Sequence, residues 1–124
     1  MRFRPRQRLR SGADFDFVFK RGARLTGPLF LLVAAANGRV FDRLGLAVSR
    51  RVGDAVERNR ARRLLREGFR RLERTGRPGV DLVVVARAPL ARRGQAEVNR
   101  ELRERLQSIR RRALAAREAA PPPR

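Results

Sequence analysis

Between Ala55 and Leu72 the chain reads Ala-Val-Glu-Arg-Asn-Arg-Ala-Arg-Arg-Leu-Leu-Arg-Glu-Gly-Phe-Arg-Arg-Leu. At a helical advance of about 100° per residue, Ala61, Leu64, Leu65, Gly68, Phe69 and Leu72 gather on one side. Asn59, Arg60, Arg62, Arg63, Arg66 and Arg70 fall on the opposite arc, with Glu67 the only acid among them. A guanidinium is a planar, always-charged fork that grips phosphate through two parallel hydrogen bonds. A ladder of them one turn apart therefore suits a chain of phosphates. An ordinary solvated helix face mixes signs and neutralises itself through i, i+4 pairs. Acids are scarce here, so the charge is left for an outside anion.

Catalytic groups are not organised in this way. The sequence has no histidine and no cysteine, which excludes disulfides, thiolate metal sites, cysteine nucleophiles and histidine acid–base chemistry. Asp14, Asp16, Asp42, Asp54, Glu57, Glu67 and Asp81 form no carboxylate cluster that suggests a two-metal nuclease. No glycine-rich phosphate loop with its lysine precedes a helix. Ser11, Ser49 and Ser108 have no histidine to activate them. No protein-borne catalytic residue and no protein-held metal is expected.

The whole composition agrees with the anion reading. There are 32 basic against 12 acidic residues in 124, a formal net charge of +20. A folded monomer repels itself at that charge, so a polyanion is the expected partner. Lys20 is the one lysine. A genome rich in G and C would favour arginine codons equally, but would not create the excess of positive charge. The length suits a single domain. Residues Met1–Arg10 carry arginines without a following apolar stretch of signal-peptide length. The longest apolar run, Pro28–Ala36, is too short to span a bilayer. A cytoplasmic protein with no membrane association is the expectation, and no protein partner is evident.

These residues need elements to hold them. Met1–Arg10 reads as a basic, irregular arm. Ser11 is a candidate N-cap with Asp14 three residues on, opening a helix over Gly12–Arg21 that Gly22 ends. Leu29–Ala36 reads as a buried strand followed by an Asn37-Gly38 turn, and Arg43–Ser49 as a second strand. Gly53-Asp54 introduces the long helix, Ala55–Arg74, and the run Thr75–Gly79 breaks it. Val80–Ala86 is the clearest strand, Pro89–Gln95 a loop, and Ala96–Ala115 a last helix with Val98, Leu102, Leu106 and Ile109 at helical spacing. The Pro-rich tail, 116–124, is expected to be disordered. The order helix, strand, strand, helix, strand, helix makes an α/β sandwich, helices packed on a small sheet, over residues 11–115.

Two apolar faces stay open to more than one use. Phe15, Val18 and Phe19 share one face of the first helix. That spacing most often means core, whereas exposed aromatic faces beside a basic helix would stack unpaired bases. On the continuously apolar strand, Phe30, Leu32 and Ala34 alternate with Leu29, Leu31 and Val33. One set must meet the core, and the other is able to line a shallow groove.

The stretch Gly53-Asp-Ala-Val-Glu-Arg-Asn-Arg-Ala-Arg-Arg-Leu-Leu-Arg-Glu-Gly-Phe-Arg closely resembles the signature of the bacterial ribonuclease P protein component, with its Arg-Asn-Arg core, further basic residues, then Arg-Glu and an aromatic. Leu9-Arg-Ser-Gly-Ala-Asp-Phe-Asp-Phe-Val-Phe-Lys-Arg-Gly resembles that family's first helix. Arg43-Leu-Gly-Leu-Ala-Val-Ser-Arg-Arg resembles the strand leading into the signature, and Asp81-Leu-Val-Val-Val-Ala-Arg its last core strand. The likeness covers roughly residues 9–112, in order.

The resemblance implies a sandwich similar to domain 2 of ribosomal protein S5, with a left-handed βαβ crossover, a hand contrary to the usual rule. It also implies a function, that of the small protein subunit of a ribozyme. The catalytic RNA, with bound Mg²⁺, hydrolyses a phosphodiester to remove the 5′ leader of precursor tRNA, and the protein binds that RNA and the leader. Carried over by position, Arg58, Asn59, Arg60, Arg62, Arg63 and Arg66 would meet the catalytic RNA, with Arg70 extending their face. Arg62 and Arg66 would border the leader cleft. Phe15 and Phe19 would be its aromatics, and Leu31 and Val33 would line it. Some family members carry tyrosine where this chain has Val33, so apolar contact alone is expected there. Rival readings are a ribosomal or chaperone-type RNA binder, a protein-only nuclease, which the missing histidines disfavour, and a nucleoid DNA binder.

Overall fold

The computed structural model describes residues 8–9, 11–72 and 78–119, without the side chains of 117–119. Among the described residues, three helices and four strands follow in the order α1 (Gly12–Arg21), β1 (Ala23–Thr26), β2 (Phe30–Ala36), β3 (Arg43–Ala47), α2 (Ala55–Arg70), β4 (Val80–Ala86) and α3 (Gln95–Ala119). Short 3-10 turns at Arg50–Val52 and Ala88–Arg92 lead into α2 and α3. The sheet order is β1-β2-β4-β3, with β1/β2 and β2/β4 antiparallel and β3/β4 parallel. The parallel pair is joined through α2, which makes the βαβ crossover.

The sheet divides the molecule into two unequal layers because its side chains alternate. Phe30, Leu32 and Ala34 of β2, with Leu82 and Val84 of β4 and Leu44 of β3, face the main core. Ala61, Leu64, Leu65 and Phe69 from α2, and Val98, Leu102, Leu106, Ile109 and Ala113 from α3, close that layer. The smaller layer lies on the other face, where Val33 and Val83 meet Val18 of α1 and Leu9. Leu29, which strand alternation alone would group with Leu31 and Val33, precedes β2 and packs into the main core beside Phe30.

The starts of α1 and α2 carry side-chain caps. The Ser11 hydroxyl accepts from Asp14 N–H at 3.1 Å. Asp54 accepts from Glu57 N–H at 2.8 Å, and the Glu57 carboxylate accepts from Asp54 N–H at 3.2 Å, a full capping box. Gly53 before it adopts φ 149°, a conformation that side chains disfavour.

Several boundaries differ from the sequence reading. β1 is an additional strand; at four residues between two glycines, with alternate residues exposed, it offers too short a pattern to read. α2 stops at Arg70, with Arg71 capping it, rather than at Arg74. α3 starts at Gln95 and runs to Ala119, past Ala115 and into the stretch read as tail. Residues 73–77, the end of the expected helix and the start of the expected helix-breaking run, and 120–124, most of the expected disordered tail, lie outside the described residues. At the end of the expected arm, Leu9 N–H donates to Leu44 O at 3.0 Å, and the Leu9 side chain is buried.

Two buried carboxylates tie distant segments together. Asp81 on β4 receives Arg43 Nη2 at 2.6 Å and Nε at 2.8 Å, and Asn37 Nδ2 at 2.8 Å. Asp42 accepts from Val80 N–H at 2.8 Å and from Arg110 Nη1 of α3 at 2.6 Å. Their acidic character thus serves architecture.

Candidate nucleic-acid interface

α2 exists because its apolar stripe has a sheet to cover, and that burial turns the opposite arc to solvent. Asn59, Arg60, Arg63 and Arg66 are exposed, and Arg58, Arg62 and Arg70 half-exposed. The guanidinium groups are not equivalent. Among the described residues Arg63 and Arg66 make no hydrogen bond or ion pair, so both forks are available to a ligand. Arg62 donates only to Asn59 Oδ1 at 3.0 Å, and Arg58 makes a long 3.4 Å bond to Asp54 O. Arg60 donates from Nε to Ala91 O at 2.8 Å and from Nη2 to Arg93 O at 2.9 Å. Those acceptors are neutral, so Arg60 keeps its charge while it clamps the turn before α3 against α2.

Arg70 departs from the ladder. Glu67 receives Arg70 Nη2 at 2.6 Å and Arg71 Nε at 2.9 Å. The hydrogen bonds from Arg70 and Arg71 hold the Glu67 carboxyl at about 2, well below its ordinary value of 4.5. In turn the hydrogen bond to Glu67 raises the Arg70 guanidinium. Its charge is therefore partly offset, and it is a poorer anion ligand than Arg63 or Arg66.

The apolar half of the expected site lies on the other face of the sheet. Phe15, Phe19, Leu31 and Val85 are partly exposed and pack over buried Leu9, Val18, Val33 and Val83. Gly45 of β3 makes room for the Phe15 ring; a Cβ there would lie 2.6 Å from Phe15 Cζ. Phe15, Phe19 and Leu31 thus come together with apolar surface still facing solvent. Val33 does not share in it. It has 0% exposure beneath α1, close enough to Gly22 that a Cβ there would sit 2.7 Å from Val33 Cγ1. In this structure α1 covers Val33, which is buried beneath the partly exposed Phe15 and Phe19.

The expected site therefore has two parts. The apolar stripe of α2 packs into the main core, whereas Phe15 and Phe19 of α1 pack into the smaller layer, so the two sets of expected site residues are carried by different layers. Sequence reasoning missed Arg24 on β1. Its guanidinium lies 5.7 Å from the centre of the Phe19 ring, and Nη2 donates to Phe19 O at 3.1 Å. The only available signal was an alternating Ala-Arg-Leu-Thr segment next to the first helix. Among the described residues no group of His, Cys, Asp or Glu is placed to hold a metal ion, and no helix is long and apolar enough to cross a membrane.

A basic helical face and a separate apolar shelf with aromatics can bind a nucleic acid in two ways: phosphates on the first, splayed bases on the second. Comparison with known proteins supplies the family. The family model described as Ribonuclease P matches residues 3–110. The ribonuclease P protein component of Legionella pneumophila (strain Corby) is 40% identical over 101 residues, covering 81% of this chain and 86% of that protein. That of Shouchella clausii is 46% identical over 84 residues, covering 67% and 69%. Among solved structures, the RNase P protein from Thermotoga maritima superposes with a TM-score of 0.68 at 34% identity, over 84% of this chain and 96% of that one. The Staphylococcus aureus RNase P protein gives 0.68 at 28% identity, over 82% and 93%. With a family match across most of its length and relatives of this identity, the chain belongs to the ribonuclease P protein component family.

Proposed function

We propose that this chain acts with the RNase P RNA through its two faces, and that hydrolysis of precursor tRNA belongs to the RNA. Membership of the family brings RNA binding and a part in tRNA processing. In our reading the α2 face, Arg58, Asn59, Arg60, Arg62, Arg63 and Arg66, meets phosphates of the catalytic RNA. The α1 shelf takes the single-stranded 5′ leader of precursor tRNA, with bases stacked on Phe15 and Phe19 and Arg24 beside them as a cation for the backbone. Leu31 adds apolar contact, and Arg70 contributes less because of Glu67.

The observation that carries this reading is the unneutralised pair Arg63 and Arg66 on a helix whose other side is locked into the core. The chain's residues bind, orient and neutralise. Hydrolysis is assigned to the RNA with its bound Mg²⁺. Lowering phosphate repulsion where two RNAs meet would reduce the Mg²⁺ needed for assembly. Stacking on an aromatic ring tolerates any base, since each has a π-face, so leaders of many sequences would be accepted. Such a complex would work in the cytoplasm.

The experiment is a comparison of affinities for precursor and mature tRNA, measured with the catalytic RNA alone and with the protein added. Tighter binding of precursor, with mature tRNA unchanged, is the expected result. Equal gains for both would remove the leader from the account and favour a general RNA-binding role.

A further inference from the structure

The turns Arg50–Val52 and Ala88–Arg92 leave the same end of the parallel strands β3 and β4. A groove of about 540 Å³ opens between them, with Arg51 on one wall and Arg92 and Arg93 on the other. The second wall is fixed, because the two Arg60 hydrogen bonds hold the Ala91 and Arg93 carbonyls against α2. Leu90, Ala91 and Val52 anchor both turns in the main core, on the α2 side of the sheet and opposite Phe15 and Phe19.

Positive charge dominates this groove, with three arginines against one acid, Glu57, whose carboxylate also accepts from Asp54 N–H in the capping box. The Arg51 and Arg92 side chains make no hydrogen bond or ion pair among the described residues. Arg93 approaches Glu97 only at 3.9 Å, the outer limit of an ion pair. No aromatic ring lines the groove, so phosphate binding by the guanidinium forks is the chemistry it favours. The complementary ligand is a run of phosphodiesters.

We infer that Arg51, Arg92 and Arg93 form a second contact for the backbone of the catalytic RNA, continuous with the α2 face through Arg60. The inference rests on the proposed role of that face. It names residues outside the α2 signature, and it assigns the groove to the catalytic RNA rather than the leader because of the layer on which it opens.

The test is the affinity of the full chain for the catalytic RNA across a salt series, in the wild type, an Arg92→Ala, Arg93→Ala double variant and the corresponding double lysine variant. Arg66→Ala and the exposed α3 variant Arg111→Ala serve as references. Each phosphate contact adds about 0.7 to 0.9 to the slope of log affinity against log salt. The double alanine variant should flatten that slope by about 1.4 to 1.8, the lysine variant should restore most of it, and Arg111→Ala should leave it unchanged. Lysine restores charge without the guanidinium geometry, so a merely misfolded alanine variant is told apart. Precursor affinity of the saturated complex should not move. If Arg66→Ala weakens binding while the double alanine variant matches the wild type, the groove is not an RNA contact. If neither changes binding, the RNA-facing role of α2 falls, and this inference with it.

Discussion

Arg60 and Arg66 carry the same charge on the same helix, yet their losses should differ. The Arg66 side chain makes no hydrogen bond or ion pair among the described residues, so Arg66→Ala should remove a proposed phosphate ligand with little effect on the fold. Arg60 satisfies Ala91 O and Arg93 O. Hydrogen bonds from charged donors contribute about 1.5–3 kcal/mol each when buried; with Arg60 exposed, a loss of about 1–2 kcal/mol is expected for Arg60→Ala. Denaturant unfolding read beside catalytic-RNA affinity separates the two: Arg66→Ala should lower affinity only, Arg60→Ala both quantities. Glu67 supplies a second residue-level prediction. Its carboxyl falls from an ordinary 4.5 to about 2 in the folded chain, so the proton binds the unfolded state more readily. The stability this adds is complete above about pH 4.5, and is lost as pH falls towards 2. A Glu67→Gln variant should be less stable than the wild type near neutrality and should converge with it in acid. The gap should be small, since all three side chains are partly exposed. Such pairings were only partly legible in the sequence. Glu67 and Arg70 are three apart and could be suspected, whereas Arg60 finds acceptors 31 and 33 residues away.

At the scale of elements, α1 and α2 owe their roles to what covers them. The apolar stripe of α2 was plain from its spacing, since a residue every three or four positions has one geometric meaning. α1 was ambiguous for a physical reason: the spacing of its three apolar residues favours core but is also open to an exposed aromatic face, and the structure buries them unequally. Val18 is wholly buried, while Phe15 and Phe19 keep part of their rings open. Val33 could not be sorted by alternation, because a strand buried on both faces shows no polar side. A Phe15→Leu, Phe19→Leu double variant keeps the packing over Val18 and removes the aromatic faces. Stacking is worth about 1–3 kcal/mol per base, so precursor affinity of the assembled complex should fall about tenfold or more, with affinity for the catalytic RNA unchanged. A matching loss of catalytic-RNA affinity would show that the two faces do not act separately.

At the scale of the whole molecule, a four-stranded sheet separates the two layers that carry the proposed RNA surfaces. The main core fixes α2 and the turn before α3; the smaller layer fixes α1 and the Phe shelf. The net charge of +20 pointed to a polyanion before any element was placed. Sheet order and the short strand β1 were hidden, because they depend on pairings such as Ala34 with Leu82 that no local pattern announces. The central claim is that the protein assists an RNA catalyst and does not cleave by itself. Its most direct test is 5′-leader cleavage of a precursor tRNA at low Mg²⁺, with the catalytic RNA alone, the protein alone, and both together. The account predicts little cleavage by the RNA, none by the protein and efficient cleavage by the complex. Cleavage by the protein alone, or no gain on adding it to the RNA, would contradict it.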